Sequence, residues 1–441
     1  MDYNSSLAYL AALGQELRGV KFDLASMGHI LESLGHPERA CPCVIVAGTN
    51  GKGSTSAMLA SVLACSGYRT GLYTSPHLVR VNERIRVDGR EIGDEEFALA
   101  FSEVERTVRH LSAKGALAAT PSFFEFLTAA AFVHFARTRL DIAVLEVGMG
   151  GRLDATNSAE PELAVITNVD LDHTEYLGGT HAAIASEKAG VIRSRRPVIS
   201  GCTNPEAAAV VRRRAAELGA ELVELPTFGR LSNLGSDHGR YGFDLALDGT
   251  RYSSLKAPLQ GRFQVENASA AAAAAWKLAE RGWAIPPSAV SEGIARARWP
   301  GRLEVCGEQP LTLLDGAHNP AAARALAEFA RSDLAGRTLT LVYASMRDKA
   351  VEEIAAVLFP LASQIYLTRP PQPRAASPEE ILARTGARLQ LPAEKIRVEP
   401  DPARALEAAR RATPAPGVVL AAGSLFLVGA LKQALAERAL G

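Results

Sequence analysis

Short apolar runs alternating with longer stretches of helical periodicity dominate the first half of the chain. Val44–Ala47, Thr70–Thr74, Ile142–Val147 and Leu163–Val169 carry almost no charge and read as strands buried on both faces. A helical stretch precedes the first of them, and Ser56–Ser66 supplies another before the second. Strands of this kind separated by helices imply a mostly parallel sheet covered on both sides. Asp88-Gly89, between Arg84–Val87 and Arg90–Ile92, and Asp248-Gly249, between Tyr241–Leu247 and Arg251–Leu255, are hairpin turn pairs expected as insertions at the sheet rim. The run Ala270–Ala275 predicts a helix from about Asn267, read as its N-cap, to about Arg281, with side chains small enough for a neighbour to approach closely.

After Trp299-Pro300-Gly301 the alternation restarts with Leu303–Val305, Thr312–Leu314, Thr338–Val342, Ile365–Thr368, Ile396–Val398 and Val418–Ala421, and Arg369–Pro373 reads as a surface loop. The fold class is therefore α/β. Residues 1–298 are expected to form a mostly parallel P-loop sheet domain with small β insertions, and 299–441 a smaller α/β Rossmann-like domain, which suits a length of 441 residues.

Composition adds exclusions. With 47% hydrophobic and 22% charged residues the chain is globular, and its 48 basic and 48 acidic residues cancel. No broad field draws nucleic acid or an anionic membrane, so any anion site is local. Five cysteines without framework spacing suit a reducing compartment, and Cys41 and Cys43 read as small apolar residues. The N-terminus lacks a signal-peptide plan, and the uncharged stretch Val418–Leu431, broken by Gly423 and Gly429, is too short for a membrane span, so a cytoplasmic location is expected.

Chemistry concentrates first in residues 46–55, where Val44–Val46 feed a loop with Gly48, Gly51 and Gly53 around Lys52. Converging N–H groups, one cation and a helix start at Ser54 or Thr55 make an anion site suited to a nucleoside triphosphate. The loop departs from the common pattern, with Val46 in place of the first glycine and Gly53 after the lysine. Further polar groups stand at or just past strand ends, where open α/β sheets bind ligands: Thr74–Leu78, Glu146–Asn157 and Thr167–Glu175, with Glu187–Gly190 near a helix end. Glu146 is the single charge in Ile142–Met149 and suits a carboxylate ligand of triphosphate-bound magnesium; a carboxylate satisfied by its neighbours is the plainer alternative. By residue chemistry alone a lone histidine such as His173 is more often structural than a ligand, here solvated by Asp170 and Asp172.

Taken together, Gly48-Thr49-Asn50-Gly51-Lys52-Gly53-Ser54, Thr74–Leu78, Glu146–Asn157, Asp170–Thr174, Glu187–Gly190, Asp315-Gly316-Ala317-His318-Asn319-Pro320 and Gly423-Ser424-Leu425 resemble folylpolyglutamate synthase/dihydrofolate synthase, a branch of the Mur ligase superfamily. The resemblance runs from about residue 20 to the C-terminus. It implies that Gly48–Ser54 bind ATP with Lys52 on the β/γ-phosphates, that Ser75, Glu146 and His173 are magnesium ligands, and that Lys188 is carbamylated beside a second metal. The plainer reading of Lys188 is a solvent-facing helix lysine. It further implies that Asn267 approaches the nucleotide and that Arg302, Asp315 and His318 close over ATP from the second domain; for Asp315 the alternative is a cap for a helix over Asn319–Phe329. Lys52, Lys188, Asp315 and His318 are thus the implied catalytic set. Pro76, His77, Phe123, Arg152, Asp154 and Ala155 resemble elements that line the folate site, although Phe123 and Phe124 equally suit the core side of an amphipathic helix.

The reaction implied is ATP-dependent amide formation between folate, or dihydropteroate, and L-glutamate, by way of an acyl phosphate, in a monomer. Leu153-Asp154-Ala155 resembles the form found in members that also accept dihydropteroate. A ligase acting on a muramyl nucleotide and a nucleotide-dependent switch are the competing readings. Gly-Lys-Gly-Ser and Ser75-Pro76-His77 favour folate over the first, and Lys188 with Asp315 and His318 argues against the second.

Overall fold

The computed structural model describes residues 1–14, 24–117, 119–389 and 392–440. Among these residues seventeen strands form three sheets. The first holds β1 (Cys43–Ala47), β2 (Thr70–Tyr73), β3 (Ile85–Val87), β4 (Arg90–Glu91), β5 (Ile142–Glu146), β6 (Leu163–Ile166), β7 (Val198–Ser200) and β8 (Leu222–Glu224), in the order β4-β3-β2-β5-β1-β6-β7-β8. All its pairs are parallel except β2–β3 and β3–β4. β1 and β5 are buried at every position, as uninterrupted apolar runs in a sheet covered on both faces must be. Asp88-Gly89 forms the hairpin turn with both residues at positive φ and extends this sheet at its edge.

The second hairpin signal leads elsewhere. β10 (Arg240–Leu247) and β11 (Thr250–Gln260) join β9 (Arg230–Asp237) in a separate antiparallel sheet, not at the rim of the first. Phe243, Leu245, Leu247, Tyr252 and Leu255 give it an apolar face, which shares a core with Ala270–Ala275 of the helix Phe263–Glu280. A sheet with such a face buries it on a helix of its own instead of extending another sheet's edge. That helix also begins earlier than its sequence suggests. Gly261 turns the chain at φ +96°, the helix starts at Phe263, and Asn267 lies inside it with its amide held by Gln264, not at the N-cap.

The third sheet comprises β12 (Glu304–Glu308), β13 (Leu311–Leu314), β14 (Leu339–Tyr343), β15 (Gln364–Leu367), β16 (Ile396–Val398) and β17 (Val418–Ala422), in the order β12-β13-β17-β14-β15-β16. Only β12 is antiparallel. Its core clusters contain Leu303, Leu341, Ile365 and Leu420 on one face and Leu314, Val342 and Val419 on the other. Among the described residues no helix is long and apolar enough to cross a membrane.

Candidate active site

A cavity of about 550 Å³ lies between the two parallel sheets, walled by the carboxyl ends of β1, β5 and β6 on one side and of β13, β14 and β17 on the other. Strand ends at the centre of an open sheet are where helix N-termini and loops leave room for a ligand. β1 opens directly into Gly48–Gly51 and the helix Lys52–Cys65, which starts at Lys52, ahead of Ser54. At Gly51, φ is +82° and a Cβ would stand 2.1 Å from Asn267 Oδ1, so only glycine lets the loop pass under the helix Phe263–Glu280. The Thr49 N–H donates to Asn168 O at 3.0 Å, the Asn50 N–H to Asn168 Oδ1 at 2.9 Å, and the Thr167 hydroxyl to Asn50 O at 2.6 Å, which ties the loop to the segment after β6. Lys52 Nζ turns back onto Gly48 O and Thr49 O, at 3.1 and 3.2 Å, and its pKa is held below normal by burial against the opposing pull of Glu146.

The wall above this loop contains a donor that the sequence did not announce. Gln264 is fully buried, its Oε1 accepts from Asn267 Nδ2 at 2.8 Å, and its Nε2 has no partner among the described residues. An unmatched buried donor beside a glycine loop fits a ligand that presents acceptors, as a nucleotide does.

Glu146 ends β5 one strand away from the loop and is 4% exposed. Its Oε2 accepts the Ser75 N–H at 3.0 Å; burial raises its pKa, and Lys52 and that N–H only oppose the rise. A carboxylate kept dry with one hydrogen bond and a neighbouring lysine suits a site completed by a cation. His173 sits at φ +51°, with Nε2 3.4 Å from Lys349 Nζ; an ammonium only donates, so this nitrogen carries the lone pair. Burial and then Lys349 push its pKa down to about 4, which leaves a neutral ring able to ligate. No group of three or more His, Cys, Asp or Glu suited to a metal occurs among the described residues; Ser75, Glu146 and His173 all line the cavity. Hard oxygen donors with one imidazole fit magnesium or manganese bound mainly through phosphates and water.

Lys188 is not solvent-facing. It is 4% exposed, its Nζ donates to Gly48 O at 2.9 Å, and burial followed by Lys52 lowers its pKa to about 7.

From the second domain, Asp315 leaves β13 and accepts from the Leu303 and Ala317 N–H groups at 2.9 and 2.8 Å. It caps no helix; that role belongs to Asn319, whose Oδ1 accepts from the Ala322 N–H ahead of the helix Pro320–Ser332. His318 lies 2.8 Å from Gly316 O through Nδ1, and because a carbonyl only accepts, Nδ1 carries the proton and Nε2 is bare. Arg302 Nη1 donates to Gly301 O at 3.1 Å and lines the cavity.

Two further residues join the domains. Asp172 receives Lys349 Nζ at 2.8 Å and Asn319 Nδ2 at 2.9 Å, and Asn319 Nδ2 also reaches Asn50 Oδ1 at 2.9 Å. Burial pushes the Asp172 carboxyl up, but His318 and His173, protonated at the acid pH where it titrates, and Lys349 together hold it well below the usual carboxylate range. Lys349 follows β14, so the strand-end rule that singled out Glu146 would have found it.

Among the residues implied for folate, Pro76, Asp154 and Ala155 line the cavity, and Asp154 accepts from the Met149 and Thr156 N–H groups, both at 3.0 Å. His77, Phe123 and Arg152 are not brought into its wall. Arg84 Nε donates to His77 Nδ1 at 2.9 Å and its guanidinium lies 5.3 Å from the Phe123 ring centroid, while Arg152 pairs with Glu187 at 2.9 Å. Phe124, packed against Gly148, takes the lining place instead of Phe123.

Residues 46–275 match the family described as Mur ligase middle domain, and residues 301–425 match Mur ligase, glutamate ligase domain. A dihydrofolate synthase/folylpolyglutamate synthase of Bacillus subtilis is 36% identical over 82% of this chain and 84% of its own. The structure of Escherichia coli FolC in complex with DHPP and ADP superposes with a TM-score of 0.87 at 32% identity, covering the whole of both chains. A bifunctional folylpolyglutamate synthase/dihydrofolate synthase from Yersinia pestis, complexed with AMPPNP and a Mn ion, gives a TM-score of 0.83 at 30% identity over 99% of this chain and 98% of that one. A glycine loop and an acidic strand end facing a second parallel sheet across one cavity thus accompany likeness along nearly the full length, and the chain belongs to the Mur ligase family, in its folylpolyglutamate synthase/dihydrofolate synthase branch.

Proposed function

We propose that this protein is an ATP-dependent ligase that joins the α-amine of L-glutamate to the carboxylate of a folate, and also of dihydropteroate. The observation that carries the reading is the cavity into which Gly48–Ser54 and Glu146 project from one sheet and Arg302, Asp315 and His318 from the other. In this reading residues 1–298 hold the nucleotide and the folate, and 299–441 close over ATP and contribute to the glutamate site.

A carboxylate is a poor acyl donor because it would have to expel oxide. Attack of its oxygen on the γ-phosphorus of ATP breaks the bond to ADP and makes an acyl phosphate, whose leaving group is inorganic phosphate. Lys52 and Arg302 meet the charge on the transferring group, an effect of position and electrostatics. Ser75, Glu146 and His173 would hold magnesium, which supplies charge neutralisation on the phosphates. The neutral amine of glutamate then attacks the acyl carbon, and as the C–O bond to phosphate breaks one amine proton passes to the departing phosphate, leaving the amide. The bare Nε2 of His318 is a hydrogen-bond acceptor for that amine.

Carbamylation of Lys188 belongs to the same proposal. Its amine nitrogen attacks carbon dioxide and loses a proton, converting a cation crowded by Lys52 in a buried site into an anionic oxygen donor. All five cysteines are free, which supports a reducing cytoplasm, and a monomer is proposed. Phosphate release from ATP, measured with each acid and amine in turn, tests the function. Dependence on both a folate and glutamate is expected; stimulation by a muramyl nucleotide, or indifference to every acceptor, would overturn it.

A further inference from the structure

Gly53 is where a serine or threonine ordinarily follows the loop lysine, and its surroundings explain the departure. A Cβ on residue 53 would lie 2.6 Å from Cζ2 and 2.8 Å from Cε2 and Nε1 of Trp299, so the indole occupies the space a side chain would need. The Arg86 guanidinium lies 5.5 Å from the same ring, a cation–π distance. Trp299 also packs against the core shared by the helices Lys52–Cys65 and Phe263–Glu280. The chain leaves the first domain at this ring, and three residues later it places Arg302 in the cavity. The residues between have little freedom: Gly301 accepts from the Gly316 N–H at 2.9 Å and donates to Glu304 Oε2 at 2.8 Å, a Cβ on it would touch Leu78, and the Leu303 N–H is held by Asp315.

We propose that Trp299 is a positioning residue for the transfer step: its indole, seated on Gly53, sets the register of Arg302 against the phosphate loop. Any shift of the loop relative to the second domain moves the ring, and through the stiff 299–303 segment it moves the guanidinium. This rests on the ligase reading above, because it gives Arg302 its work.

A mutant cycle on the full-length enzyme separates positioning from folding. Trp299→Ala should lower kcat for folate- and glutamate-dependent phosphate release about tenfold while ATP affinity by calorimetry stays within about threefold, and Trp299→Phe should recover most of the loss. If Trp299 acts through Arg302, the double variant Trp299→Ala/Arg302→Ala should be no slower than Arg302→Ala within about twofold. Multiplying losses, or a fall in ATP affinity that matches the fall in kcat, would overturn the inference. Should Trp299→Ala fail to fold, Gly53→Ala, whose methyl presses the ring aside, takes its place in the cycle: a loss of kcat absorbed by Arg302→Ala supports the inference, and multiplying losses overturn it. Absence of ATP binding by the wild-type enzyme would instead remove the ligase reading itself.

Discussion

Lys188 occupies the penultimate position of the helix His181–Ala189, yet its Nζ donates to Gly48 O in a buried site and does not reach solvent. Nothing in its immediate neighbours, Glu187 and Ala189, distinguishes it from a surface lysine; the phosphate loop above it does. Replacing it by alanine is expected to depress amide formation by about a hundredfold or more while leaving ATP binding nearly intact. Added short carboxylic acids should restore part of the rate. Equal loss of both functions would count against a carbamate. Gln264 supports a second test. Because its Nε2 is an unmatched donor in the cavity wall, Gln264→Leu should weaken ATP binding by about 1–2 kcal/mol in a calorimetric titration, the worth of one hydrogen bond to a ligand. Unchanged affinity would mean that the amide does not face the nucleotide.

The glycine loop and the helix Phe263–Glu280 depend on close approach. Ala270–Ala275 are all buried, against β10 and β11 on one side and the helix Lys52–Cys65 on the other. A larger side chain has no room there, and Ala272→Leu should destabilise the protein by about 1–3 kcal/mol in urea unfolding. This expectation was available from the run of small residues. The start of that helix was not, because the turn at Gly261 competes with the capping preference of Asn267 and wins. In the three-stranded sheet the β10–β11 hairpin was legible at Asp248-Gly249, but β9 escaped a local reading. β9 is exposed along its length and carries no alternation of buried positions, so it becomes a strand only by pairing with β10.

Closure of one domain on the other is held by Asp172–Lys349 and Asn319–Asn50 at the cavity, and by Asp333, whose carboxylate receives Ser236 Oγ at 2.8 Å and Tyr241 OH at 3.1 Å outside it. Burial in that closed arrangement lowers the His318 pKa to about 4, with Lys349 adding to the effect. The unfolded chain takes up the proton near the ordinary value of about 6.5, so this residue's contribution is present above that pH and is lost as pH falls toward 4. Thermal unfolding between pH 7 and 4.5, compared with His318→Asn, should therefore show the wild type losing ground as the pH drops. Parallel profiles would show that the folded ring takes up its proton at the ordinary pH, unshifted by burial.

Period, turn chemistry and strand-end polarity were enough to specify two α/β units, the phosphate loop and the carboxylate at the end of β5, and the family resemblance added the acidic and imidazole groups after β13, because each of these signals is written within a few consecutive residues. Which side chains share the cavity was decided by packing. Packing between distant segments brings Lys349 to Asp172 across the two sheets, seats Trp299 on Gly53, buries Lys188 under Gly48, and sends Phe124 instead of Phe123 into the wall. These are contacts between residues far apart along the chain, and no local periodicity encodes them.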